Sequence, residues 1–204
     1  MMTKNNVLNN KLKSLSMKKI FLSVFIFAAS IATAQHKDYL ITMEGLGELK
    51  FGMSQAKVEE LLKKKIVLTK NYLDTLNGYY EDTAKVIYKN ISVQLEFQRS
   101  YNAPNEFYMR LIGIRAKSPL CKTVNGIGIG TDKLKIIAAY DNYHIAIQPG
   151  YYNYFETEKG IGKSTITILD DGASTMDGSN AYTMLFYLFN NKVISFELKA
   201  KLND

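Results

Sequence analysis

Groups able to carry out chemistry are scarce in this 204-residue chain, and their spacing argues against most reactions. Its histidines number two and its cysteines one. His36 lies beside the start of the exported chain expected below, where order is poor. His144 falls in Tyr143-His144-Ile145-Ala146-Ile147, where alternation sets it with Ala146 on one face of a strand. No second histidine or cysteine stands at metal-ligand spacing, which argues against zinc. Cys121 has no disulfide partner, and with only Lys122 beside it to stabilise a thiolate it reads as a buried, inert thiol. Asp170 and Asp171 are carboxylates a small hydrolase could use, yet neighbours on a strand point to opposite faces.

Two glycine-rich stretches imitate phosphate loops. Gly160-Ile161-Gly162-Lys163-Ser164-Thr165 ends like a P-loop, but the first glycine of that motif falls on Thr157, and a β-rich run follows where a helix N-terminus is needed. Gly126, Gly128 and Gly130 lack the dinucleotide-loop spacing and read as a tight approach into a helix. The acidic stretch from Asp170 to Asn180 departs from calcium-loop spacing and reads as a turn. No cofactor or metal is expected, and no catalytic residue. The positive feature is tyrosine. Tyr151, Tyr152, Tyr154 and Phe155 follow the turn signal Pro149-Gly150, and tyrosine offers contact area with a polar handle. They form the expected partner-binding patch; the competing reading is a strand or loop folded back on the core.

The elements that must position these residues begin after a leader. Met17-Lys18-Lys19 opens an apolar run from Ile20 to Ile31, and Ala32-Thr33-Ala34 supplies small residues for cleavage. The run is too short to span a bilayer as a helix. The spacing predicts export, to the periplasm or the medium, with cleavage after Ala34. Gln35 stands where a lipidated cysteine would be needed, so neither a lipid anchor nor a membrane span is expected. Five lysines and no acids precede Gln35, so the net charge of +7 falls to 21 basic against 19 acidic residues, or +2. That removes the basis for nucleic-acid binding, which needs a basic stripe. Lys63-Lys64-Lys65 follows Glu59 and Glu60, and these read as pairs on a solvated helix face.

Within 35–204, Phe51-Gly52-Met53-Ser54 with Val58 and Leu61-Leu62 recurs as Ile129-Gly130-Thr131-Asp132 with Ile136 and Ala139-Tyr140, an offset of 78 (129 against 51). Ser54 and Asp132 are the expected N-caps of helices running to about Lys65 and Tyr140. Strands are expected over Val86 to Phe97, Tyr108 to Ala116, Ser164 to Leu169, Tyr182 to Phe189 and Lys192 to Lys199. Asn190-Asn191 reads as a tight hairpin turn, Gln98 to Glu106 as a longer loop, and Gly113 as a bulge or close-approach site.

These features predict an α+β protein of two tandem repeats, each an N-capped helix followed by an antiparallel meander, forming one compact body. The expected segments are an upstream extension and signal peptide over 1–34, one repeat unit over 35–120 and a second over 121–204. One sheet face is left partly open, and that face or the long loops at its edge is the natural working surface. The motif Gly52-Met53-Ser54 with Val58 and Leu61-Leu62, and Val124 to Gly130 leading into the second helix, resemble a group of exported bacterial domains. That group holds the beta-lactamase inhibitor protein and the small lipoproteins of outer-membrane assembly, and the resemblance implies the architecture rather than an activity. The chain lacks the disulfides and lipidation common there. The expected function is a non-catalytic module that binds a protein or cell-envelope component. The alternatives are a small periplasmic hydrolase, or an immunity or inhibitor protein neutralising a toxin or enzyme.

Overall fold

The computed structural model describes residues 37–71, 81–103, 106–149, 162–170 and 181–202. The expected leader over 1–34, and His36, lie outside the described residues. The dominant feature grows from two hairpins. Lys89 and Asn90 (φ 46° and 69°) and Asn190 and Asn191 (φ 48° and 61°) form two-residue turns with both residues left-handed, whose twist matches that of the flanking strands. The first joins β5 (Glu81–Tyr88) to β6 (Ile91–Ala103), and the second joins β11 (Ala181–Phe189) to β12 (Lys192–Lys201).

Around these hairpins lies an eight-stranded sheet in the order β4-β5-β6-β7-β12-β11-β10-β9. The other members are β4 (Thr69–Asn71), β7 (Glu106–Ala116), β9 (His144–Pro149) and β10 (Lys163–Leu169), and every pairing is antiparallel. The sheet runs through the 120/121 boundary because β7 pairs directly with β12. Its inner face follows the period-2 alternation: Ile91, Val93, Leu95 and Phe97 are buried, as are Ile166, Ile168, Phe186, Phe196 and Leu198.

A second sheet, in the order β3-β2-β1-β8, is built from β1 (Leu40–Thr42), β2 (Gly45–Leu46), β3 (Leu49–Lys50) and β8 (Lys122–Thr123). It adds Ile41, Leu46 and Leu49, all fully buried, to the same core. The segment Asp38–Asp204 forms one compact unit.

The helices are α1 (Gln55–Leu62) and α2 (Lys133–Ala139). Ser54 Oγ accepts from Lys57 N–H at 3.4 Å and Asp132 Oδ1 from Leu134 N–H at 3.0 Å, as N-caps do. Matching backbone bonds tie both helix starts to the sheet. Gly52 N–H donates to Leu111 O and Leu111 N–H to Met53 O, at 2.9 and 2.8 Å; Gly130 N–H donates to Val193 O and Val193 N–H to Thr131 O, at 2.8 and 3.0 Å. Both glycines have positive φ, 80° and 83°, so the glycine of each motif supplies a backbone conformation rather than a ligand cradle.

The α+β arrangement of helix-plus-meander repeats is corrected by this architecture. Among the described residues the fold is mainly β, with two sheets and, inside 38–202, two helices of about two turns. Each helix fully buries one residue, Val58 or Ile136, so neither builds a layer of its own. The small sheet, whose strands are too short to show alternation, completes the inner side instead.

Two local expectations change as well. α1 stops at Leu62, because Lys63 takes a left-handed conformation (φ 52°). The chain then turns back so that Glu59 accepts from Lys65 Nζ at 2.8 Å and Ile66 N–H at 3.0 Å; with Gln55, these bonds lower its pKa to about 2. Lys63-Lys64-Lys65 is therefore no helical face. Gln98 to Ala103, expected as loop, extends β6 along β7 instead.

Candidate binding site

The expected aromatic patch, Tyr151, Tyr152, Tyr154 and Phe155, lies outside the described residues, as does Asp171. Asp170 follows β10, half-buried. His144 is exposed on the edge strand β9, in register with Leu169. Lys163, Ser164 and Thr165 stand within β10, which removes the helix N-terminus that a phosphate loop requires. The Cys121 thiol is buried, as expected, and burial pushes its pKa up to about 12. Among the described residues, no group of three or more His, Cys, Asp and Glu side chains could hold a metal.

The polar residues converge elsewhere, on the face of the large sheet opposite the core. Alternation and register set them in two rows. One row runs Lys85, Gln94, Arg115, Glu197 and Leu185 across β5, β6, β7, β12 and β11. The next runs Thr83, Glu96, Gly113, Lys199 and Thr183. Strands lie about 4.8 Å apart, so these residues, apart from Leu185 and Gly113, form a polar lattice.

Gly113 is the lattice point without a side chain. The register shifts at this place, because Glu96 pairs with Gly113 but Phe97 with Leu111, leaving Ile112 as the extra residue. A Cβ on Gly113 would lie 2.7 Å from Oε2 and 2.8 Å from Cβ of Glu96. Its absence lets Glu96 and Lys199 meet across β7, with Nζ 3.6 Å from Oε2. A cleft of about 220 Å³ opens here, lined by Glu96, Arg115, Glu197 and Lys199 with Thr83, Gln94, Gly113 and Ile114.

Glu197 is the hub. Its Oε2 accepts from Arg115 at 2.6 Å and from the Tyr187 hydroxyl, while Lys199 Nζ stands 3.5 Å from Oε1. The Arg115 guanidinium also lies over the Tyr187 ring, 5.4 Å from its centroid. Burial of Glu197 opposes ionisation, but the bonds from Tyr187 and Arg115, with the charges of Arg115 and Lys199, outweigh it and hold the carboxyl below its usual range. Burial raises the Tyr187 phenol, and its bond to Glu197 raises it further. Burial works against the Arg115 cation, but Glu197 more than restores it.

Glu197, Arg115 and Tyr187 are thus held in fixed protonation states around neutral pH. General acid–base catalysis works best with a group poised near the operating pH. These three form a connected set of charges and hydrogen-bond groups, none of them poised near neutral pH.

Sequence reasoning did not single out these residues. The available signal was charge alternating with the most apolar runs, as in Leu95-Glu96-Phe97 and Phe196-Glu197-Leu198-Lys199. No family model matches this chain, and no curated protein or solved structure shows significant similarity to it, so what the cluster can do follows from its own geometry.

Proposed function

We propose that this chain is an exported, non-catalytic binding module that holds a protein or cell-envelope component on the open face of its large sheet. The observation that carries the reading is the Glu197 cluster. Five side chains, Glu96, Arg115, Tyr187, Glu197 and Lys199, are locked together around a cleft on a face that no described element covers. A polar network of this kind adds little to stability when it could be replaced by apolar packing, but it gives geometric specificity to a contact. Export rests on the Lys18-Lys19, Ile20 to Ile31 and Ala32-Thr33-Ala34 pattern. No helix among the described residues is long and apolar enough to cross a membrane. The likeness of the two glycine-led caps to exported tandem modules agrees with the same reading and assigns no partner.

The test is affinity capture from cell-envelope extract with the wild-type chain and a Lys85→Glu/Lys199→Gln variant of matched urea midpoint. A stoichiometric partner held by the wild type and released by the variant supports the reading. Equal retention by both would place the contact elsewhere.

A further inference from the structure

We infer that the turn after α1 is a docking point for an anionic phospholipid surface, which takes Lys63 and Lys64 at its headgroups and Val67 just below them. The turn belongs to neither sheet, so this site is separate from the polar lattice and independent of the open-face reading. It follows from how α1 ends. Had the helix run on, Glu59 and Glu60 would pair with Lys63 and Lys64 along one face. Instead α1 stops at Leu62, and the left-handed Lys63 turns the chain back. Glu59 then accepts from Gln55, Lys65 and the Ile66 N–H, at 3.0, 2.8 and 3.0 Å. These bonds fix the loop and occupy the carboxylate. The exposed side chains of Lys63 and Lys64 are left with no hydrogen bond or ion pair to any described residue. With Glu59 and Lys65 cancelling, Lys57, Lys63 and Lys64 against Glu60 leave a local charge of 3 − 1 = +2.

An apolar side chain stands beside these cations. Ile66 is buried and pins the loop to the core, while the adjacent Val67 is 85% exposed, more than any other large apolar side chain among the described residues. The composition of the segment selects its partner. From Lys57 to Val67 it holds four lysines but no arginine and no aromatic residue. Protein interfaces are enriched in arginine and aromatic side chains and depleted in lysine. Single-stranded nucleic acid takes aromatic rings on which bases stack, and a duplex takes a longer row of cations. A phospholipid surface demands neither: flexible ammonium groups meet phosphates at the headgroup level, and a small apolar side chain reaches the acyl boundary. Each lysine near such a surface strengthens binding about fivefold.

The experiment is sedimentation of the chain from Gln35 onward, which contains the whole compact unit, with vesicles of mixed phosphatidylglycerol and phosphatidylcholine and with vesicles of phosphatidylcholine alone. The expected leader is left off because its five lysines and apolar run would bind vesicles by themselves. Three results together support the inference. Binding to the mixed vesicles weakens with salt; it falls about ten- to thirtyfold in Lys63→Gln/Lys64→Gln and about two- to fivefold in Val67→Ser. Lys117→Gln/Lys135→Gln, which removes the same charge from exposed positions elsewhere, changes it less than about threefold. Val67→Ser alters only an exposed side chain, so it keeps the test valid if the double lysine variant unfolds. Equal losses in the two lysine pairs would mean that net charge rather than this turn binds, and would overturn the inference. Unchanged binding by Val67→Ser, equal binding to phosphatidylcholine alone, or no binding to the mixed vesicles would each overturn it as well. A glutamate peptide held at Lys63 and Lys64 by a chain that ignores vesicles would replace the lipid surface with an acidic protein segment.

Discussion

Replacing Glu197 by glutamine removes the charge at the hub while keeping its shape and one acceptor. In the wild type the buried carboxylate accepts from Arg115 and Tyr187, and Lys199 stands beside it. Hydrogen bonds to an ionised group contribute about 1.5–3 kcal/mol, against about 0.5–1.5 kcal/mol for neutral ones. Two bonds demoted in this way cost about 2 kcal/mol. Loss of one partner of a fully buried ion pair costs about 3–5 kcal/mol. Arg115 is two-fifths exposed and recovers hydration, which keeps the expected loss near the lower figure. The folded pKa of Glu197 lies below its ordinary 4.5, so its contribution is fully present above about pH 4.5 and is lost as pH falls through the lower folded value. The gap between wild type and Glu197→Gln should therefore be about 2 kcal/mol at pH 7 and shrink steadily below pH 4.5. Urea unfolding followed by tyrosine fluorescence, which fourteen tyrosines and no tryptophan make straightforward, measures it. A variant as stable as wild type at pH 7, or a gap unchanged at pH 3.5, would refute the reasoning.

Gly113→Ala should destabilise the fold by about 1–3 kcal/mol and move the Glu96 side chain, since the new methyl falls inside its contact distance. Unchanged stability with an undisturbed Glu96 carboxyl resonance would contradict the close approach. Cys121 should resist thiol reagents in the native chain at pH 8 and react at once in denaturant, because burial raises its pKa to about 12; rapid native labelling would show the site to be open. Asn191→Ala should cost about 1–2 kcal/mol, since alanine must occupy φ 61° in the β11–β12 turn, and a neutral result by thermal unfolding would mean the turn adapts.

What could be read from the sequence was local. Ser54, Asp132 and Asn190-Asn191 carry their signals within a few residues, because a cap or tight turn depends on backbone groups next door. Lys89-Asn90 makes a turn of the same kind but hides it, since lysine is no turn residue and Val86 to Phe97 therefore reads as one strand. Gln98 to Ala103 reads as a loop because its residues are polar, although pairing with β7 makes it strand. The Glu197 cluster is invisible for a different reason. Arg115 lies 82 residues from Glu197 and 72 from Tyr187, so only the β7–β12 pairing and its register bring them together. The small sheet escapes notice because strands of two or three residues have no period to detect.

Site-specific photocrosslinking in cells that express the chain tests the open face most directly. A photoreactive residue at position 85 sits on the polar lattice beside the cleft, and one at Val67, which is 85% exposed and follows α1 outside both sheets, serves as the reference. The account predicts a discrete protein adduct from position 85 that is absent from position 67 and suppressed by Lys199→Gln. A protein adduct from position 67 with none from position 85 would contradict it.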